Sequence, residues 1–187
     1  MAQHGVVRID ALLVDLRDVR WEARSMRGSE RALILRPTTP DDLLEVRALF
    51  RDPAFEGWGG PGFRSDSQLR EKYVGARLPD VECFLVEVDD RVVGFTQLYA
   101  DGSGAGTDLI LLPAERGAGV GRQVVEALLE RIRASGRTHF VVDPSPEDRG
   151  AVAFWRAVGF RGRGRGRSRG TMAYPLQETD EQQNVVR

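Results

Sequence analysis

The sequence predicts an α+β fold, in which a mixed, mostly antiparallel sheet of seven strands is flanked by helices in three α/β/α layers. Two observations predict this class: a β-hairpin occupies the middle of the chain, and strands alternate with helices after it. The hairpin is indicated by Cys83–Val88 and Arg91–Tyr99, which are rich in β-branched and aromatic residues. The pair Asp89-Asp90 between them supplies a tight turn.

The elements before the hairpin follow from local signals. Ala32–Arg36 predicts the first strand, which Pro37 ends because proline donates no hydrogen bond to a sheet. Thr39-Pro40-Asp41-Asp42 predicts a helix start, with a capping threonine, proline at the first helical position and acidic residues at the positive helix end. Ser65 or Asp66 is predicted to begin a second helix.

The elements after the hairpin alternate between strand and helix. Asp101–Gly106 predicts a flexible loop because it holds mostly Gly, Ser and Ala, and Thr107–Leu112 predicts the fourth strand. Gly117–Gly121 leads into a long helix with apolar residues every four positions, which Gly136 ends. The remaining strand, helix, short strand and last strand are Thr138–Val142, Arg149–Val158, a strand beginning at Phe160, and Thr171–Leu176.

Length and composition indicate an ordinary globular chain with one domain. The 187 residues are 41% hydrophobic and 29% charged, which is typical of such proteins. The domain is expected at residues 31–178, after an N-terminal extension of uncertain order at 1–30 and before a polar C-terminal tail at 179–187. No signal peptide or membrane-spanning run is indicated, so we expect a cytoplasmic protein with no membrane partner.

Charge and residue counts disfavour several classes of function. A net charge of −1 creates no overall field that would attract nucleic acid, which is therefore not expected as a partner. One cysteine, Cys83, and two distant histidines, His4 and His139, indicate neither a disulfide framework nor a metal site. Cys83 and His139 are most simply interpreted as buried strand residues.

The sharpest chemical feature is the segment Arg116-Gly117-Ala118-Gly119-Val120-Gly121, between a strand and a long helix. Its glycines allow a tight turn that points several N–H groups into one concavity at the positive helix end, and such a loop binds a diphosphate. It lacks the Gly-Lys-Ser/Thr ending of a P-loop, and its late position disfavours a Rossmann site. A plain flexible turn is the alternative interpretation.

Two motifs at a matching separation resemble the GCN5-related N-acetyltransferases, the GNAT family. Arg116–Gly121 resembles the family's acyl-CoA motif Arg-x-x-Gly-x-Gly, and Asp148–Phe160 resembles its Asn-x-x-Ala-x-x-Leu-Tyr-x-x-x-Gly-Phe. The order of elements from Leu33 to Leu176 also matches that family. The resemblance implies the GNAT fold, acetyl-CoA as co-substrate, no metal, and direct transfer of an acetyl group to a primary amine.

Four further segments resemble aminoglycoside 6′-N-acetyltransferases within that family. They are Gly57-Trp58-Gly59-Gly60, the helix ending Glu71-Lys72-Tyr73, Val93–Tyr99 and Asp143-Pro144-Ser145-Pro146. Siderophore-pathway acetyltransferases share the Trp-Gly-Gly part. The leading small-molecule acceptor is therefore an aminoglycoside or a similar amino sugar or polyamine. The alternatives are a protein N-terminus, an amino acid or a siderophore precursor, and, in another class, a CoA-binding sensor without turnover.

The resemblance assigns acceptor roles to four residues. Asp108 is the candidate that takes a proton from the ammonium group or binds it, and an ordinary strand-start carboxylate is the alternative. Asp143 is expected at the mouth of the acceptor cleft or as a cap before a proline. Trp58 is expected to cover a sugar or an amine, or to anchor its loop. Tyr99 is expected beside them as an acceptor-binding residue.

The resemblance also assigns the co-substrate site. The residues expected to bind acetyl-CoA are Ile110, Leu111, Leu112, Arg116, Gly117, Ala118, Gly119, Val120, Gly121, Arg122, Asp148, Ala151 and Trp155. Splaying of the fourth and fifth predicted strands would leave backbone N–H groups free there. Trp155 stands where the family often has a tyrosine that protonates the leaving thiolate, and indole supplies no useful proton. Trp155 therefore either donates a hydrogen bond to the sulfur or belongs to the core. Tyr174 is then the catalytic candidate for protonating the leaving thiolate. The alternatives are water, Tyr99, or departure of the thiolate without protonation.

One loop does not fit a cationic acceptor. Five arginines alternate with Gly or Ser from Arg161 to Arg169. They would repel an aminoglycoside if they faced the cleft, whereas a solvated loop is the simpler interpretation. Many members of the resembling family dimerise, so a homodimer is among the expected assemblies.

Overall fold

The computed structural model describes residues 21–23, 32–56, 65–75, 77, 80–162 and 170–176. Within these ranges the chain forms eight strands and four α-helices. The strands are β1 (Trp21–Ala23), β2 (Leu33–Pro37), β3 (Val81–Val88), β4 (Arg91–Asp101), β5 (Gly104–Leu111), β6 (His139–Val142), β7 (Arg161–Gly162) and β8 (Met172–Pro175). The helices are α1 (Leu43–Phe50), α2 (Asp66–Tyr73), α3 (Val120–Ala134) and α4 (Arg149–Ala157).

All eight strands belong to one mixed sheet in the order β1-β2-β3-β4-β5-β6-β8-β7. Every pairing is antiparallel except that of β5 with β6, so the predicted mixed, mostly antiparallel sheet is confirmed. The seven predicted strands are present. The additional strand β1 lies inside the predicted extension at 1–30 and pairs with β2. The rest of that extension and the predicted tail at 179–187 lie outside the described residues.

The sheet carries a separate apolar core on each face, which confirms the predicted three layers. Helices α3 and α4 cover one face, where Phe84, Val124, Phe140 and Trp155 are buried. Helices α1 and α2 cover the other face over a second buried cluster that includes Phe95. Along each strand, the side chains contribute alternately to the two cores because successive side chains point to opposite faces of a sheet.

Most predicted element ends coincide with local signals. Asp89 and Asp90 have φ of 50° and 59°, the left-handed conformation that a two-residue hairpin turn requires. The Ser65 hydroxyl accepts the Gln68 N–H at the start of α2. Gly136, with φ of 70°, follows the end of α3.

The flexible loop predicted at Asp101–Gly106 is wrong. Asp101 ends β4, and Gly104 already begins β5, so only a two-residue turn separates the strands. Packing requires small residues from Gly104 onward: a side chain at Gly104 would meet the His139 ring, Ala105 is fully buried, and the Tyr99 ring fills the place that a side chain at Gly106 would occupy. A run of small residues therefore marks a crowded part of the sheet here.

A charged network anchors α1 to the sheet. The Arg36 guanidinium on β2 donates to Glu87 at 2.6 Å, to Asp42 at 2.6 Å and to Glu45 at 2.8 Å. The Asp42 carboxylate also accepts the Thr39 N–H at 2.7 Å. Burial alone would raise the pKa of Asp42, but the hydrogen bonds from Arg36 and Thr39 outweigh it and lower that pKa below its ordinary value.

This network predicts an acid-dependent loss of stability. Because the pKa of Asp42 is lower in the folded chain, its contribution is full above the ordinary aspartate pKa of about 4 and is lost as pH falls through the folded value. We expect Asp42→Asn to lower the free energy of unfolding by about 2 kcal/mol at pH 7, and the difference from wild type to shrink below pH 4. Urea unfolding at several pH values measures this, and a difference independent of pH would contradict it.

Candidate active site

The sheet splits between β5 and β6, next to the predicted site. These strands pair only through Ala105 with Phe140 and Gly106 with Val141. Beyond Gly106, β5 continues to Leu111 along β4 without a partner in β6. The predicted splaying is therefore confirmed, and it leaves β5 beyond Gly106 without a strand partner on the side of β6.

The glycine-rich loop is exposed at the start of α3. Gly117 and Gly119 have φ of 78° and 87°, and no atom lies within 4 Å of the place where a Cβ would stand on either residue. Gly119 is the N-cap of α3, and the first N–H groups of a helix have no acceptor within it. Together with Ala118 and Val120, these residues present backbone donors at the positive end of α3, as an anion requires.

Two arginines brace this loop. The Arg116 Nε atom donates to the Leu111 carbonyl at 2.9 Å, which holds its guanidinium beside the end of β5. The Arg122 Nη2 atom donates to the Ala157 carbonyl at 3.2 Å and links the start of α3 to the end of α4. Gly121 is buried where a Cβ would crowd the Phe154 ring at 3.0 Å, so the glycine permits close packing of α3 on α4.

The residues predicted on α4 have structural partners. The Asp148 carboxylate caps α4 by accepting the Ala151 N–H at 2.8 Å. Trp155 is only 6% exposed and makes edge contacts with Phe154 at 4.9 Å and Phe160 at 5.0 Å between ring centroids. The structure therefore places Trp155 in the core between α4 and the sheet, the second of the two predicted interpretations.

Tyr174 lies in the same layer as α3 and α4. Its ring centroid stands 5.6 Å from that of Phe160, and its edge covers Gly159. Asp108 lies on the opposite face of the sheet, since its neighbours in alternation, Ile110 and Leu112, pack against the α1 and α2 layer. The two predicted catalytic side chains thus flank the sheet from opposite sides.

Asp108 occupies a partly buried position beside the split. It stands directly opposite Gln97 of β4, and the Gln97 Nε2 atom donates to its Oδ2 atom at 2.5 Å. Burial raises the pKa of Asp108, the Gln97 hydrogen bond opposes this, and the nearby Asp143 carboxylate raises it further. The net result is a pKa above the ordinary aspartate value, which makes this carboxylate a better base than an exposed one.

Tyr99 and Asp143 complete an acidic surface around Asp108. Burial, together with the charges of Asp108, Asp101 and Asp143, raises the pKa of Tyr99 to about 12. Asp143 is exposed directly after β6, and the Thr171 hydroxyl donates to its Oδ1 atom at 3.4 Å. Three of the four predicted acceptor residues therefore share one electrostatic environment. The fourth, Trp58, lies outside the described residues.

The alternating arginines are described only at their first member. Arg161 is exposed and donates to the Arg156 and Phe160 carbonyls at 3.2 Å and 2.9 Å. Residues 163–169 lie outside the described ranges.

Gln97 is not among the site residues predicted from the sequence, although one signal for it is present. Phe95, Gln97 and Tyr99 alternate along β4 and therefore share the sheet face that carries Asp108. A polar residue between two aromatic ones on a half-buried face marks a position with a specific partner.

Cys83 and His139 have different environments. Cys83 is buried, as predicted, and its thiol contacts the Lys72 carbonyl at 3.5 Å. His139 is only partly buried: its ring covers Gly104, and its Nε2 atom lies 3.7 Å from Asp101. No group of three or more metal-ligating side chains is placed to hold a metal ion in the described parts of the chain.

We expect Cys83 to be unreactive in the folded protein. Burial raises the pKa of Cys83 to about 12, and the thiolate is the reactive form. Ellman's reagent at pH 8 should label no thiol without denaturant and one thiol per chain in guanidinium chloride. Rapid labelling of the native chain would contradict the burial of this residue.

A mixed sheet that splits between β5 and β6, with a glycine-rich loop at a helix start and a partly buried carboxylate beside the split, is consistent with the class of transferase that the two sequence motifs predict. Residues 43–160 match the family model described as the acetyltransferase (GNAT) family. The chain therefore belongs to the GNAT acetyltransferase family and is an enzyme of that class, as the two sequence motifs predict.

Solved structures share this fold at low sequence identity. A structure of the aminoglycoside acetyltransferase AAC(6′)-Ib with paromomycin and acetyl-CoA is 20% identical, with a TM-score of 0.68 over 82% of this chain and 99% of that one. A structure of AAC(6′)-Ib with coenzyme A and kanamycin is 22% identical, with a TM-score of 0.65 over 76% and 94%. A spermidine N-acetyltransferase SpeG variant from Vibrio cholerae is 20% identical, with a TM-score of 0.61 over 77% and 94%.

These structures establish the fold of the present chain. No curated protein sequence matches it. None of the described helices is long and apolar enough to cross a membrane.

Proposed function

We propose that this enzyme transfers the acetyl group of acetyl-CoA directly to a primary amine of an aminoglycoside, or of a similar amino sugar or polyamine. The observation that carries this proposal is the acidic surface that Asp108 on β5 and Asp143 after β6 form around Tyr99, beside the split in the sheet. Carboxylates near one opening attract and orient a cationic acceptor. The neighbours solved with aminoglycosides and named for spermidine support the same class of acceptor.

The loop at the start of α3 fits the diphosphate of acetyl-CoA. Its residues from Gly117 to Arg122 offer N–H groups and open space above two glycines. Arg116 adds a positive charge at the end of β5. The edge of β5 that has no partner in β6 includes the Leu111 N–H group, which is the proposed backbone donor to the pantetheine arm. When bound, acetyl-CoA supplies the activated acetyl group.

Asp108 is the proposed proton acceptor. An alkyl ammonium is mostly protonated near pH 7 and must lose a proton before its nitrogen can attack. The raised pKa of Asp108 suits it to take that proton. The amine nitrogen then forms a bond to the acetyl carbonyl carbon, the bond between that carbon and sulfur breaks, and the nitrogen loses its second proton to solvent as the amide forms.

Tyr174 is the proposed proton donor to the departing sulfur. Tyr174 lies on the sheet face that carries α3, and Asp108 lies on the opposite face. In this proposal the sulfur therefore leaves toward one face and the amine approaches from the other. Trp155 occupies the same layer but is buried among aromatic rings, and its indole cannot act as an acid.

The acceptor is tested by following thiol release from acetyl-CoA with a panel of amines. We expect turnover of aminoglycosides that carry a 6′-amine and loss of turnover with a matched compound that has a hydroxyl at that position. Spermidine, amino acids and N-terminal peptides complete the panel. Turnover with peptides or amino acids alone would overturn the acceptor and keep the assignment of Asp108. Turnover of spermidine alone would narrow the acceptor to linear polyamines.

A further inference from the structure

The strand register and two buried threonines hold Gln97 of β4 opposite Asp108 of β5. Their Cα atoms are register partners, and their side chains share one face of the sheet. From the opposite face, the Thr107 hydroxyl donates to the Gln97 carbonyl at 2.7 Å, and the Thr96 hydroxyl donates to the Asp108 carbonyl at 2.8 Å. Both threonines are buried. These contacts fix the register between β4 and β5, so the Gln97 and Asp108 side chains remain next to each other.

The Gln97 amide is only half satisfied. Its Nε2 atom donates to Asp108, while its Oε1 atom is buried and has no hydrogen-bond partner within the described residues. A buried oxygen without a donor is unfavourable, so a donor is expected there at some stage of the catalytic cycle. An amide can donate or accept, whereas a carboxylate only accepts and a protonated carboxyl group can donate.

We infer that Gln97 is a positioning residue that follows the protonation state of Asp108. While Asp108 is ionised, the Gln97 Nε2 atom donates to its carboxylate and aims the second carboxylate oxygen at the acceptor amine. Once Asp108 has taken a proton from the ammonium group, the amide turns and the Oε1 atom accepts the hydrogen bond of the new O–H group. This inference rests on the proposed function, which names the amine as the source of that proton.

The groups around Asp108 oppose the effect of Gln97 on its protonation. Asp143 faces Asp108 from the end of β6, and Tyr99 lies two residues along β4, with Asp101 beyond it. On α2, Tyr73 belongs to the same layer. Burial and the Asp143 charge favour protonated Asp108, and the Gln97 N–H is the group that favours the carboxylate. Without this amide, Asp108 would hold its proton to higher pH.

Gln97→Met tests the inference, because methionine keeps the length and volume of the side chain and removes both hydrogen bonds. We expect kcat to fall about tenfold, corresponding to one lost charge-assisted hydrogen bond. We expect the acidic limb of the kcat/KM profile to move to higher pH. Gln97→Glu, which places a second carboxylate beside Asp108, should move this limb further. In an Asp108→Asn background, Gln97→Met should add little, since Gln97 acts through Asp108.

A second readout separates this inference from the proposed function. The Asp108 carboxyl carbon, labelled with carbon-13 and assigned by comparison with Asp108→Asn, is titrated by NMR in the free enzyme. A midpoint at higher pH in Gln97→Met supports the inference even if no amine in the panel is acetylated, which would overturn only the proposed function. Unchanged titration and pH profile in Gln97→Met would overturn the inference while leaving the acetyl transfer in place.

Discussion

Asp108→Asn is expected to lower kcat for a primary amine by about a hundred- to a thousandfold, the usual effect of removing a positioned general base. Asparagine retains the shape of the side chain and an acceptor oxygen, but it cannot take a proton from the ammonium group. The hydrogen bond from Gln97 and the burial of this position show that the carboxylate is held in place rather than freely solvated.

The pH profile identifies the cause of that loss. In the proposed mechanism only ionised Asp108 can take the proton, so kcat/KM should rise with pH through the raised pKa of Asp108, and this limb should disappear in Asp108→Asn. Glu130→Gln is the control, since Glu130 is an exposed carboxylate on α3, which packs on the other face of the sheet. A rate for Asp108→Asn within threefold of wild type would remove Asp108 from the proton path.

Gly119→Ala is expected to weaken acetyl-CoA binding by about thirtyfold, because a methyl group would stand where the loop must approach the diphosphate. Two lost N–H contacts to the phosphates, at about 1 kcal/mol each, correspond to this factor. Gly119 has φ of 87°, so alanine would also strain the backbone. Isothermal titration calorimetry with coenzyme A measures the affinity, and thermal unfolding measures the strain.

Gly136→Ala separates the two effects. Gly136 follows the other end of α3, has φ of 70°, and also has no atom within 4 Å of its missing Cβ. Both substitutions should therefore cost similar stability, about 1 kcal/mol each. Only Gly119→Ala should weaken coenzyme A binding. Equal affinities in the two variants would assign the glycine-rich loop a turn-forming role alone.

Local signals predicted the fold well because they depend on nearby residues. The turn at Asp89-Asp90, the cap at Ser65 and the stop at Gly136 each reflect a backbone preference that the sequence displays directly. The prediction of a flexible loop at Asp101–Gly106 was wrong because the conformation of this segment depends on distant residues. Its small residues are dictated by the Tyr99 side chain and the neighbouring strand, which are features of tertiary packing.

The site was predictable where a motif is contiguous. The glycine-rich loop from Gly117 follows from its own residues and lies at a helix start, as predicted. The environment of Asp108 requires the register between β4 and β5 and the end of β6, which the sequence does not display. The same holds for Trp155, whose core position depends on contacts with Phe160 beyond its helix.

The Tyr99 ring packs on Gly106, so the residue at position 106 determines the shape of the acidic surface around Asp108. The Tyr99 ring occupies the space that a side chain at Gly106 would need. Any larger residue at Gly106 would displace the ring while keeping both carboxylates, Asp108 and Asp143, in the chain. The shape of this surface and its number of negative charges can therefore change at separate positions, so that one substitution at Gly106 would reshape the surface without replacing a carboxylate.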